Sequence, residues 1–351
     1  MPVNRAWTAE ELLARWDQEQ SSVWVDGDEL TFVYQGEADA VDVCCSLQMS
    51  LQPVAGSDLW VLTVRIDNLE RAVISYSFIP YRNGRPIEDQ EDLEEMRVWR
   101  GPDAPPAPPR AEYLQGQIVR HTLQSAALGE SRDLTVYLPP DHDPGQRYPV
   151  VYAADGDVVD SLATIIDPAV VSGEIVPVVV VGVHPGGYDG PPDSFSPSLD
   201  LRAQEYLLGA NEERFEAHER FFVYEVAEWA EQDLGASTER DQRAVFGFSN
   251  GGAFAVSMGI RHPDRYGSVL AFSLASGREG WGTPVWEENE APRHYLAAGT
   301  LEPFMSSTVR WVTWLELLNV DYLFRMRISG HDMVMWEEEF LLAVDWAFSE
   351  Q

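Results

Sequence analysis

At 351 residues, 45% hydrophobic and 11% aromatic, the chain is long enough to bury two separate cores. All 24 of its basic residues are arginines, which excludes Schiff-base and pyridoxal chemistry and a Walker-type phosphate loop, because each needs a lysine amine. A formal net charge of −34 argues against nucleic-acid binding, where cationic side chains must neutralise phosphates, and fits a solvated acidic surface.

In chain order, Thr8 is placed to cap a helix over Ala9 to Gln18. Residues 22–82 then alternate strand-like runs rich in Val, Thr, Tyr, Phe and Trp with Asp-Gly, Gly-Ser and Asn-Gly turns. This predicts a small all-β sandwich as a first domain, residues 1–100. Trp24, Trp60 and Trp99 read as core rather than exposed platforms. The only cysteines, Cys44 and Cys45, are adjacent in such a run. Neighbouring strand side chains point to opposite faces, so the pair reads as core filler and not as a disulfide or metal clip. An acidic segment, Pro86 to Met96, is followed by five prolines between Pro102 and Pro109, which predict an extended linker over 101–110.

From residue 111 to 351 strands alternate with helices, the pattern of a mostly parallel sheet covered on both faces. GQIVRHTLQSAAL and SRDLTVYLPP read as an opening antiparallel pair. YPVVYAAD, VPVVVVGV, RDQRAVFGFS, YGSVLAFSLA, HYLAAGT and YLFRMRI read as the later strands, with helices between and after them. No run approaches 18 apolar residues and the first twenty residues lack a secretory profile, so a soluble cytoplasmic protein is expected, with no membrane partner.

Gly247-Phe248-Ser249-Asn250-Gly251 joins a strand directly to a helix, the setting in which G-x-S-x-G denotes a nucleophile. Glycines flank the serine because the turn is too tight for a Cβ, and the Asn250 amide then faces a developing oxyanion. A serine hydroxyl needs an imidazole to take its proton. His331, in RISGHDMVMW, follows the last strand and precedes the terminal helix, as the order serine, acid, histidine requires. His262 sits at a helix end, and His121, His142, His184, His218 and His294 fall outside the required order or position. Glu302, just past a strand end in HYLAAGTLEPFM, has the placement of the acid. Asp321 and the loop residues Glu287, Glu288 and Glu290 do not. The second oxyanion donor is expected in Asp155-Gly156-Asp157, with the Asp157 amide as the choice.

RAVFGFSNGGAF, AAGTLEP and SGHDMVMW, in that order, resemble the enterochelin esterase family within the esterase D-like group of α/β-hydrolases. The resemblance covers residues 111 to 351, and the β-rich start with its linker is similar to the first domain of that family. It implies an α/β-hydrolase fold, Ser249 as nucleophile, His331 as base and Glu302 at the acid position, where the broader group usually has Asp. It also implies ester hydrolysis without a metal or organic cofactor. The expected activity is a serine carboxylic ester hydrolase using an acyl-enzyme, on a siderophore trilactone or other small acyl or aryl esters. The alternatives are an acyltransferase of the same fold and a non-catalytic binding protein on a hydrolase scaffold. A large ferric catecholate anion would need cationic lining, for which Arg202, Arg214, Arg220 and Arg278 are candidates. The resemblance implies a lid or substrate wall for the β-rich domain, with a carbohydrate-binding or dimerising module equally open, and a homo-oligomer is left open.

Overall fold

The computed structural model describes residues 1–87, 96–190, 196, 199–286 and 290–349. Most of the acidic segment, together with Glu287 and Glu288, therefore lies outside the described residues. The chain forms two compact units. One comprises Met1–Pro106, Gly299–Pro303 and Met326–Met335, the other Ala107–Ala298, Phe304–Arg325 and Trp336–Gln351.

In the first unit, helix α1 (Ala9–Glu19) opens with a reciprocal cap: the Glu11 amide donates to the Thr8 hydroxyl (3.2 Å) and the Thr8 amide to the Glu11 carboxylate (2.9 Å). Strands β1 (Val23–Asp26), β2 (Glu29–Gln35), β3 (Ala40–Cys45), β4 (Met49–Ser50), β5 (Gln52–Pro53), β6 (Leu59–Arg65), β7 (Val73–Arg82), β8 (Arg85–Pro86) and β9 (Arg97–Arg100) follow. They form two antiparallel sheets, β1-β2-β6-β5 and β4-β3-β7-β8, with β9 paired to β7. Alternating apolar residues of both sheets face inward, so Phe32 meets Tyr76 edge-on at 5.4 Å and Tyr34 meets Phe78 at 5.7 Å. Trp24 is buried, while Trp60 and Trp99 are half-buried against the sandwich core.

Cys44 and Cys45 correct the sequence expectation. Their peptide bond is cis, their Cα atoms are 3.2 Å apart, and the sulfurs are bonded as a vicinal disulfide. Opposite-face alternation holds within a regular strand, and this pair stands at the last two positions of β3.

Residues 299–303 and 326–335 complete the same unit. Leu301 and Ile328 pack on the sandwich core, and the Val73 amide donates to the Ile328 carbonyl (2.9 Å).

In the second unit the chain runs through β10 (Gln117–Gln124), β11 (Ser131–Leu138), β12 (Val150–Ala154), α2 (Val159–Ser172) and β13 (Val179–Val183). Helices α3 (Leu201–Tyr206), α4 (Glu212–Arg220) and α5 (Ala227–Asp233) come next, the last two joined by a π-helical stretch, Phe221–Val226. Then follow β14 (Arg243–Phe248), α6 (Asn250–Arg261), β15 (Ser268–Phe272), β16 (Arg293–Gly299), α7 (Met305–Leu317), β17 (Tyr322–Arg327) and α8 (Met333–Phe348). The sheet order is β10-β11-β13-β12-β14-β15-β16-β17. β10, β11 and β13 pair antiparallel in succession, whereas β13, β12, β14, β15 and β16 pair parallel. Every residue of β12 to β15 is buried, which is why these strands read as continuous apolar runs without alternation. Asp167, buried on α2, accepts from the Gln115 and Gly116 amides (2.8 Å each) and the Tyr137 hydroxyl (2.9 Å), which ties the start of β10 to β11. Among the described residues no helix is long and apolar enough to cross a membrane.

Candidate active site

Ser249 stands between β14 and α6 with φ 55° and ψ −122°, a left-handed, strained backbone held by its surroundings. Its amide donates to the Phe272 carbonyl (3.0 Å), and its carbonyl accepts from Ala275 (3.1 Å). A Cβ on Gly247 would fall on the backbone of Gly251, and one on Gly251 would come within 2.9 Å of the Asp155 carboxylate. Both glycines of the motif are therefore sterically required. Asn250 is the first residue of α6, so its amide is among the donors that a helix start leaves without an intrahelical acceptor. The partial positive charge at that helix end adds to the pull on an anion.

Asp157 lies in the one-turn helix Gly156–Val158 after β12. Because β12 pairs parallel with β14 (Ala153 opposite Phe246), this turn and the serine turn leave the same end of adjacent strands. The Asp157 carboxylate is exposed, so the amide is not burdened by an inward-facing charge.

Asp155 supports the turn from inside, in a way the sequence reading did not identify. It is left-handed (φ 61°) and buried, and its amide donates to the Tyr206 hydroxyl (3.0 Å). Its carboxylate receives Arg202 in a two-point pair, Nε to Oδ1 at 2.5 Å and Nη2 to Oδ2 at 2.7 Å. Burial pushes the Asp155 carboxyl above its ordinary range, and the Arg202 guanidinium opposes that shift. Two of the other arginines considered for substrate are also engaged: Arg214 by Glu205 and Glu130, and Arg220 by Glu216. Arg278 has no carboxylate partner among the described residues. With Arg310, Trp281, Trp311, Trp314 and Glu279 it lines a cavity of about 320 Å³.

Glu302 and His331 are brought together. His331 Nδ1 lies 2.7 Å from Glu302 Oε2, and Glu302 Oε1 accepts from the Gly299 amide (3.0 Å). An ionised carboxylate accepts, so Nδ1 carries the proton and Nε2 presents a lone pair. Glu302 is buried, and its extra methylene is accommodated by a loop that folds back on Gly299. Beside His331, Asp332 is buried and accepts from the Ser46 hydroxyl at 2.5 Å. The other histidines have separate engagements. His262 pairs with Glu219 (2.7 Å), His142 with the Leu234 carbonyl (2.8 Å) and His184 with the Thr135 hydroxyl (2.7 Å). His121 stacks on Trp229, and His218 and His294 are fully buried. His184 also packs on Gly156, next to the expected oxyanion turn, and its position one residue past β13 was the available signal.

Residues 125–341 match the Esterase family, described as "Putative esterase". The chain belongs to this esterase family. Among curated esterase-family relatives, Esterase Rv1288 of Mycobacterium tuberculosis (strain ATCC 25618 / H37Rv) is 27% identical over 191 residues, 52% of this chain and 38% of that protein. The uncharacterised protein YjcH of Bacillus subtilis (strain 168) is 22% identical over 44% of this chain and 60% of its own length. The chain thus spans less than two thirds of the curated relatives it matches. In fold it is similar to the ferric enterobactin esterase of Salmonella typhimurium (TM-score 0.70, 18% identity, 95% of this chain and 98% of that one). It is likewise similar to the enterobactin esterase of Shigella flexneri solved in the presence of enterobactin (TM-score 0.66, 19% identity, 98% and 99%). A ferulic acid esterase from Anaeromyces mucronatus matches a smaller part (TM-score 0.52, 19% identity, 65% and 89%). Family membership supports carboxylic ester hydrolysis.

Proposed function

We propose that this esterase-family chain is a serine carboxylic ester hydrolase that works through an acyl-enzyme. The observation that carries the reading is the backbone of Ser249, held at φ 55° and ψ −122° between a buried strand and a helix N-terminus. Ser249 Oγ attacks the ester carbonyl while its proton passes to His331 Nε2, and Glu302 holds the imidazole tautomer and stabilises the imidazolium. The tetrahedral oxyanion is met by the amides of Asn250 and Asp157. As the C–O bond to the alcohol breaks, His331 returns the proton to the departing oxygen. Water, deprotonated by the same imidazole, then attacks the acyl-enzyme and releases the acid and free Ser249.

For substrate, the reading favours small acyl or aryl esters, siderophore trilactones among them. The likeness in fold to enterobactin and ferulic acid esterases supports this, as do two arginines, Arg278 and Arg310, that line one cavity and have no carboxylate partner among the described residues. The test is turnover of a short-chain p-nitrophenyl ester series beside Ser249→Ala, with phosphonate labelling read by mass spectrometry. Turnover lost in the variant and a label on Ser249 are expected; absence of both in the wild-type protein would overturn the reading.

A further inference from the structure

Ser46 ends its strand one residue past β3, and it is 3% exposed. Its hydroxyl donates to Asp332 Oδ2 (2.5 Å) and accepts from the Ser75 amide (2.9 Å), while its own amide donates to the Ser75 carbonyl (3.0 Å). The Ser75 hydroxyl lies 3.1 Å from the Ser46 hydroxyl as well. One proton and two lone pairs are thereby all used, and Ser46 cannot turn elsewhere without leaving a buried group unmatched. On the other side, Asp332 accepts from the Met335 amide (3.1 Å) and lies 3.4 Å from the Ser329 hydroxyl. Between them, Gly330 passes so close to Ser46 that a Cβ would fall on the Ser46 backbone. The residue framed by Gly330 and Asp332 is His331.

We propose that Ser46 is a positioning residue for the catalytic base: through Asp332 and the close approach of Gly330, the β-sandwich fixes the loop that carries His331. This rests on the reading of His331 as the base. The physical case is that Glu302 holds the ring at Nδ1, and the direction of Nε2 also depends on where the backbone of 329–332 lies. Among the described residues that loop is tied to the sandwich by the Val73–Ile328 hydrogen bond, by the Ser46–Asp332 hydrogen bond, to which Ser75 adds, and by the close approach of Gly330 to Ser46. Asp332 is an apt anchor because burial raises its carboxyl pKa, opposed chiefly by the Ser46 hydrogen bond. Losing that hydroxyl removes the 2.5 Å contact from the set that holds this buried group, leaving the Met335 amide and the Ser75 and Ser329 hydroxyls.

The experiment compares Ser46→Ala, Asp332→Asn and wild type in the full chain. For p-nitrophenyl butyrate, Ser46→Ala is expected to lower kcat by about 10- to 100-fold with KM nearly unchanged, the size of loss a small displacement of a reacting group produces. The low-field proton resonance of the His331–Glu302 hydrogen bond should broaden or vanish in Ser46→Ala, with the circular dichroism spectrum unchanged. Asp332→Asn, whose side-chain oxygen can still accept from Ser46, should retain more activity than Ser46→Ala. Wild-type kcat and an intact low-field resonance in a folded Ser46→Ala would overturn the proposal. So would a loss of activity matching only a smaller folded fraction. The resonance needs no turnover, so an inactive wild type would refute the hydrolase reading while leaving the anchoring of His331 separately measurable.

Discussion

His331 Nδ1 and Glu302 Oε2 stand 2.7 Å apart, and the second oxygen of the same carboxylate is held by the Gly299 amide. Glu302 is thus held by its own loop as well as by the imidazole. Replacing Glu302 by Gln should lower kcat by about 10²- to 10⁴-fold, because the amide can offer Nδ1 a donor and favour the wrong tautomer. Glu302→Asp should fall between that variant and wild type, since the shorter side chain cannot reach Nδ1 and keep the Gly299 contact. Steady-state kinetics on a p-nitrophenyl ester decide both; a Gln variant as active as wild type would remove Glu302 from the mechanism.

The Arg202–Asp155 pair gives a stability prediction. Arg202→Gln leaves a buried carboxylate uncompensated and should cost about 3 kcal/mol, read from urea unfolding at neutral pH. Arg202→Lys should recover only part of this, because an ammonium cannot form the two-point pair. Adding Asp155→Asn to Arg202→Gln should restore stability, and failure to do so would locate the defect elsewhere.

Arg278 and Arg310 predict a charge preference. Arg278→Gln with Arg310→Gln should lower kcat/KM for p-carboxyphenyl butyrate by about tenfold while leaving phenyl butyrate almost unaffected. Equal losses on the two esters, or none on the anionic one, would show that this cavity does not take substrate.

Acid should weaken the fold through its buried histidines. His218 is pushed down to about 4 and His294 to about 3, both chiefly by burial, so both stay neutral in the folded chain well below the ordinary value of 6.5. The unfolded chain then binds more protons at pH 5, and stability falls as the pH drops from 6.5. For His294, whose Nδ1 contacts the Pro292 carbonyl (2.9 Å), the loss between pH 7 and 5 should be about 2 kcal/mol. His294→Asn, able to donate to the same carbonyl, should show a correspondingly flatter dependence in urea titrations at several pH values.

Much of this was readable from local chemistry. The Thr8 cap, the apolar runs of β12 to β15 and the glycines around Ser249 all express constraints between residues close in sequence, which is why the fold class could be read before any coordinates. The features that escaped notice join distant residues. Nothing near Arg202 announces Asp155, 47 positions away, and Ser46 lies 286 positions from Asp332. Arginines in an acidic chain look alike until their partners are known, so Arg202 stood as one of four candidates for substrate lining, whereas the structure pairs it with Asp155 at the turn after β12. The vicinal disulfide escaped for a different reason: strand alternation applies within a regular strand, and Cys44 and Cys45 stand where β3 ends.

The sandwich takes Leu301 and Ile328 into its core although its own strands end at Arg100. On a ribosome those strands emerge some two hundred residues before the segments that complete their packing, and domains otherwise tend to fold as they appear. The first unit must therefore wait, partly assembled, while almost the whole α/β sheet is made. Its maturation and the arrival of His331 then become one late event, so an unfinished chain holds Ser249 without the histidine proposed to activate it.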